Sequence, residues 1–349
     1  MPKFNRARKM DATPGASVNH DVIPVSCSND DRLLLTMMAG DVSYTGWNSC
    51  RYSREIRSAC RYGGQNKPVG PVMMHSSLFV FDIETVPDID VLPQLTGETA
   101  PDPETGRKML EDYHLEITSG RNGFPRQPFH KVVAISFLRA TIQRDGDLEM
   151  YEIEELRSGG DLTSEEKDLV NGFFAYCGKL YPRLVSFNGR GFDLPVLKYR
   201  AMKHGVTARW LHQASNKWEN YTSRYAPNWH CDLAEVLSDY GASARTKMNE
   251  VCAALDLPGK TGVDGSKVSD MFDNGEIDGI RRYCETDVLN TYLLYLRHAL
   301  HTGLTDHDGY NHAINLTVGW LEERAGDIPA YQEFLDAWRA SSGGSFNVL

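Results

Sequence analysis

Asp82 and Glu84 close an apolar run in the segment LFVFDIETVPD, which begins at Leu78. A short apolar run reads as a buried strand, and residues two apart on a strand point to the same face. The two carboxylates would then share one small volume, where they repel unless a cation or a proton lies between them. A cation site is one reading. The other is a turn that ends the strand, because Pro87-Asp88 is turn chemistry. A third acid, Asp193, stands in SFNGRGFDLPVL, Ser186–Leu197. Here a strand ends at Phe187, Asn188-Gly189-Arg190-Gly191 makes a loop, and Asp193 opens a helix. Asp193 is either the cap of that helix or a group at the carboxyl end of a strand, where open α/β sheets bind ligands. Tyr283 and Asp287 lie four residues apart in RRYCETDVLNTYLLYLR, Arg281–Arg297. On a helix they share one face, either as a hydrogen-bonded pair or as part of a site.

These residues need elements to position them. Leu78–Phe81, Lys131–Phe137, Leu148–Ile153, Leu184–Phe187 and Asn228–Cys231 read as strands. Helices are expected over 164–179, capped by Thr163 or Ser164, and over Asp193–Lys203, with Pro195 in the first turn. Further helices are expected over Leu233–Ser238, Lys247–Ala254 and Ile277–Leu300. The long connection 88–128 carries a short helix near Met109–Leu115. Strands alternating with helices make the chain α/β, with a five-stranded sheet flanked by helices.

The chain has 349 residues, 41% hydrophobic and 24% charged, an ordinary globular composition. No run of about 18 apolar residues is present, so no membrane span is expected. The seven cysteines are scattered with no CxxC pair, which favours free thiols in a reducing, cytoplasmic setting over disulfides or zinc. Residues 1–73 hold ten Lys/Arg and six Asp/Glu, whereas the remainder holds 27 and 41. The main body is therefore no basic platform for duplex nucleic acid, and it would handle polyphosphates locally or through bound cations. Residues 1–73 show no clear periodicity. They read as a poorly structured or non-native extension, with a natural start near Met73 or Met74, ahead of a domain over 74–349 that ends in a helical tail.

An Asp-x-Glu strand end, an Asn-Gly-x-x-Phe-Asp turn and a late Tyr-x-x-x-Asp helix occur in that order. This arrangement resembles the tyrosine-containing subclass of the DEDD exonuclease superfamily. It is similar above all to the bacterial predicted 3′–5′ exonucleases related to the exonuclease domain of family B DNA polymerases. HCDLAEVLSDYGA (His230–Ala242) and LPGKTGVDGSKVSDMF (Leu257–Phe272) strengthen the likeness, which covers roughly residues 77 to 300. The resemblance implies a ribonuclease H-like fold with a mixed sheet. It implies that Asp82, Glu84, Asp193 and Asp287 hold two divalent ions, Mg²⁺ or Mn²⁺, and that Tyr283 helps position the attacking water. Two such ions about 4 Å apart neutralise a phosphodiester, acidify a water and stabilise the leaving oxygen. Mg²⁺ prefers oxygen ligands, so four acids suffice without histidine or cysteine. Phe187 and Asn188 are expected to touch the terminal nucleotides, and Lys260 and Lys267 the backbone. His230 and Asp232 are expected to be structural. The implied activity is release of nucleoside 5′-monophosphates from single-stranded 3′ ends. DNA is the first expectation and RNA the alternative, and a catalytically silent binding protein is a third reading. A separate polymerase or repair protein would be the partner.

Overall fold

Alternation along the first strand, β1 (Ser77–Pro87), builds the molecule outward from its centre. Leu78 and Val80 enter one apolar core, while Phe79, Phe81 and Ile83 enter a second on the opposite face. Both faces are covered, which is why the run shows no apolar–polar alternation before Asp82. The computed structural model describes residues 75–213, 216, 218–259 and 265–348. The chain divides into two units, Met1–Val72 and Met73–Leu349. The extension expected over residues 1–73 lies outside the described residues.

Four more strands join β1: β2 (His130–Asp145), β3 (Leu148–Ser158), β4 (Arg183–Ser186) and β5 (His230–Asp232). Their order is β3-β2-β1-β4-β5. The β1–β2 and β2–β3 pairs are antiparallel, and the β1–β4 and β4–β5 pairs are parallel. This mixed five-stranded sheet between helical layers is the ribonuclease H-like arrangement. β2 and β3 form a long hairpin that turns at Gly146, whose φ of 61° is the left-handed conformation glycine adopts most readily.

The helices named here are α1 (Pro103–Ile117), α2 (Glu166–Leu180), α3 (Asp193–His204), α4 (Met248–Ala254), α5 (Ile277–His301), α6 (His307–Glu322) and α7 (Pro329–Ser341). α2 and α3 cover the Phe79–Phe81 face. α5 covers the other face, and α6 and α7 pack into the same core through Tyr310, Ile314, Phe334 and Trp338. The C-terminal helices are thus part of the main core, each buried large side chain contributing about 1.5–3 kcal/mol.

Several elements differ from their sequence-based expectations. β1 does not stop at Phe81 but continues to Pro87, because β2 pairs with it along its whole length. β2 and β3 are likewise longer, since each supplies the other's backbone partners. The helix in the connection is a full α1 over Pro103–Ile117, started by the Asp102 carboxylate accepting from the Thr105 amide at 2.8 Å. Neither Thr163 nor Ser164 caps α2. Their hydroxyls donate to the Asp161 carboxylate instead, at 2.8 and 3.2 Å, and Glu165 takes the cap position without a side-chain bond. Among the described residues no helix is long and apolar enough to cross a membrane. The four described cysteines, Cys177, Cys231, Cys252 and Cys284, are free and buried.

Candidate active site

Asp82 and Glu84 continue the face that Leu78 and Val80 began, two residues at a time. They are interior to β1, not at its end. What ends near them is β4, which pairs with β1 only over Leu78–Val80. Across the other edge, Asp82 stands opposite Ser136 and Glu84 opposite Ala134, two small residues that leave room above the acids. The register then slips: Thr85 pairs with Val132, so Val133 is an extra residue in β2. A bulge of this kind bends the strand and re-aims its side chains.

α5 lies over this face. The Cys284 thiol is 3.5 Å from the Asp82 carbonyl oxygen and 3.7 Å from its Oδ2. Tyr283 and Asp287, one residue before and three after, are both buried, at 4% and 3% exposure. Tyr283 packs with Val86, Val133, Val268 and Ile280. Carboxylate oxygens of Asp82 and Glu84 and the Cys284 sulfur lie within 4.8 Å of one another. Asp193 and Asp287 are not in that tight group. Cys284 was not anticipated, although it sits between Tyr283 and Asp287 in the sequence. Burial, and then the charges of Asp82 and Glu84, push its thiol well above the ordinary range. A protonated thiol is a weak donor and a poor ligand for a hard cation, so the carboxylates are the donors that fit Mg²⁺ or Mn²⁺.

Asp193 reaches the site through the turn after β4. Asn188 adopts a left-handed φ of 66°, which asparagine tolerates. The Asp232 carboxylate accepts from the Asn188 and Arg190 amides, both at 2.8 Å, and so holds the turn. His230 Nε2 lies 2.8 Å from the Ser186 hydroxyl. Both residues support the site from behind. Asp193 is the first residue of α3, not its cap, which is Phe192. The backbone amide of Ile83, the residue between Asp82 and Glu84, lies close enough to the Asp193 carboxylate to favour its charged form. That places Asp193 beside the stretch of β1 that β4 does not pair. Burial pushes the Asp193 carboxyl up to about 7, and the nearby Asp232 charge adds to the effect.

A Cβ on Gly189 would lie 2.3 Å from the Ser186 hydroxyl and 2.6 Å from its Cβ. Gly189→Ala is therefore expected to destabilise the protein by about 1–3 kcal/mol, read from urea unfolding. A change below a few tenths would show that the turn is less tightly packed than described.

A cleft of about 780 Å³ gathers Asp82, Glu84, Phe187, Asn188, Tyr283 and Asp287 along its walls. Asp193 is buried and does not line the cleft. Lys260 lies outside the described residues. Lys267 is exposed in the turn Gly265–Lys267, and Gly265, not Lys267, contributes to the lining. Arg245 and Lys247 do line the cleft. They went unnoticed in the sequence because an isolated Arg-Thr-Lys in a loop carries no periodic or motif signal.

Residues 122–338 match a family described as predicted 3′–5′ exonucleases related to the exonuclease domain of PolB. The chain belongs to this family. The matched stretch of this exonuclease-family chain contains Asp193, Tyr283 and Asp287, while Asp82 and Glu84 precede it and join the site through β1. Among solved structures it is similar to the family B DNA polymerase of the hyperthermophilic archaeon Pyrobaculum calidifontis, with 16% identity and a TM-score of 0.36. That likeness covers 72% of this chain and 29% of the polymerase. None of the curated proteins compared matches the chain.

Proposed function

We propose that the protein is a metal-dependent 3′–5′ exonuclease that removes nucleoside 5′-monophosphates from single-stranded DNA. The observation that carries this reading is a single cleft shared by Asp82, Glu84, Tyr283 and Asp287, with the buried Asp193 near the amide of Ile83 between the first two. The donor set is rich in carboxylate oxygen and its one sulfur is a buried, protonated thiol, which suits Mg²⁺ or Mn²⁺. Asp82 and Glu84 would hold such ions from β1, Asp287 from α5 and Asp193 from the turn. When bound, these ions neutralise the phosphodiester, acidify a water and stabilise the leaving oxygen.

The chain's own groups divide the remaining work. Tyr283 is fixed in an apolar setting of Val86, Val133 and Ile280, so its phenol can orient a water by hydrogen bonding. That water's oxygen bonds to phosphorus as the bond from phosphorus to the 3′ oxygen breaks, and the 3′ oxygen takes up a proton. Phe187 and Asn188 line the same cleft and would contact the terminal nucleotide.

The test is a 5′-labelled single strand of DNA, and one of RNA with matched sequence, each incubated with Mg²⁺, Mn²⁺ or EDTA. The expected result is a ladder shortening from the 3′ end on DNA, with metal only. Faster shortening of RNA would move the substrate assignment to RNA. No shortening of either strand would refute the nuclease reading.

A further inference from the structure

The acidic site must attract a polyanion, yet residues 74–349 carry an excess of acids. One wall of the cleft is different. Phe187, Asn188, Ala234 and the segment Arg245–Asn249 supply two cations to the lining and no acid. Arg245 donates from Nη1 to Asn188 Oδ1 at 3.1 Å and from Nη2 to Glu235 Oε1. Glu235 is buried, with 6% side-chain exposure, and it already accepts two bonds from Arg224, through Nε and Nη2. Hydrogen bonding to Arg224 is the largest influence holding the Glu235 carboxyl below its ordinary range. One carboxylate therefore answers two guanidiniums, and Arg224 alone would keep it paired. Arg245 is a surplus cation, held in place by Asn188 and Glu235 but 45% exposed. Of its five N–H donors these two bonds use two. A guanidinium fixed in orientation, with donors left over, is suited to a phosphate.

We infer that Arg245, with Lys247 beside it, binds a backbone phosphate of the single strand on the 5′ side of the scissile bond. This rests on the exonuclease reading and adds to it the contact that holds the strand. Arg245 is a positioning residue: it bears on the strand, not on the reacting atoms. Asn188 is common to both, since it lines the cleft and receives the Arg245 bond.

The experiment uses the full chain with Mg²⁺ and a set of single-stranded oligonucleotides. In each, one linkage, counted from the 3′ end, is a neutral methylphosphonate. Release of the first mononucleotide is followed for wild type, Arg245→Gln and Arg245→Lys across a range of salt. With all linkages charged, Arg245→Gln is expected to raise KM about tenfold. Its kcat should stay within about threefold of wild type, and the slope of log KM against log salt should fall by about one. In wild type, neutralising one internal linkage should raise KM by a similar factor, and in Arg245→Gln that same linkage should have no further effect. Arg245→Lys should keep the salt slope. The inference is overturned if Arg245→Gln matches wild type in KM and salt slope. It is also overturned if every neutral linkage costs both proteins the same, or if Gln and Lys lose KM alike with a lowered melting temperature, which marks a purely structural role. If wild type releases no mononucleotide from the unmodified strand, the exonuclease reading fails and this contact fails with it. A wild type that cleaves while Arg245→Gln is unchanged sinks only the contact.

Discussion

Asp82→Asn is expected to slow mononucleotide release in Mg²⁺ by about 10³-fold or more. Asp82 belongs to the tight group of candidate ligand atoms and lines the cleft. It shares a 4.8 Å sphere of ligand atoms with Glu84, and its backbone and side chain meet α5 at Cys284. The amide keeps the shape and the strand pairing with Ser136, but it removes the negative charge that would attract a cation. The loss should therefore fall on chemistry rather than on folding. Circular dichroism and melting temperature should match wild type while single-turnover cleavage of a 5′-labelled strand collapses. Retention of more than a tenth of the wild-type rate, with metal dependence intact, would remove Asp82 from the reaction.

Asp193→Asn should make the metal-free protein more stable at pH 8. The Asp193 carboxyl, buried and near Asp232, is pushed up to about 7, whereas an unfolded aspartate titrates near 3.9. Between those values the folded chain keeps a proton that the unfolded chain has lost, so stability falls as pH rises through the window. Below about pH 4 both states are protonated and the cost vanishes. Above about pH 7 it is complete, at up to about 4 kcal/mol for a three-unit difference. Asparagine keeps the size and one carbonyl acceptor of the side chain and carries no charge at any of these pH values. Urea unfolding in EDTA should show the variant equal to wild type near pH 4 and more stable by a few kcal/mol at pH 8. Mg²⁺ or Mn²⁺ should stabilise wild type at pH 8 and stabilise the variant much less, because a cation relieves a carboxylate's burial and not an amide's. A variant less stable than wild type at pH 8 in EDTA would show that the charge at Asp193 is satisfied within the protein.

The position of the acids shows how far local pattern carries. The apolar run before Asp82 is long enough to be recognised as a strand, and the shift on one face from Leu78 and Val80 to Asp82 and Glu84 is visible in the letters alone. The end of that strand was not visible. β1 reaches Pro87 because β2 lies beside it throughout, and no residue within LFVFDIETVPD records the length of its neighbour. The same holds for β2 and β3, whose stretches beyond the expected strands exist as strands through pairing with each other. Thr163 and Ser164 had the right types for a helix cap, yet Asp161 outcompetes the helix for their hydroxyls.

By itself, the order of residues determined the α/β class, the turn that carries Asn188 and Asp193, and the helix that sets Tyr283 and Asp287 on one face. Each of these depends on neighbours no more than a few positions away, through strand alternation, turn chemistry or the helical repeat. The meeting of these pieces is a tertiary matter. Asp193 lies 110 positions after Ile83 in the sequence and comes near its amide, beside the stretch of β1 that β4 does not pair. Cys284 meets Asp82 because α5 crosses the sheet there. Arg245 faces the cleft because Asn188 and Glu235, from two different segments, hold its guanidinium between them. Contacts of that kind are set by which surfaces pack together, and packing leaves no local mark in the chain.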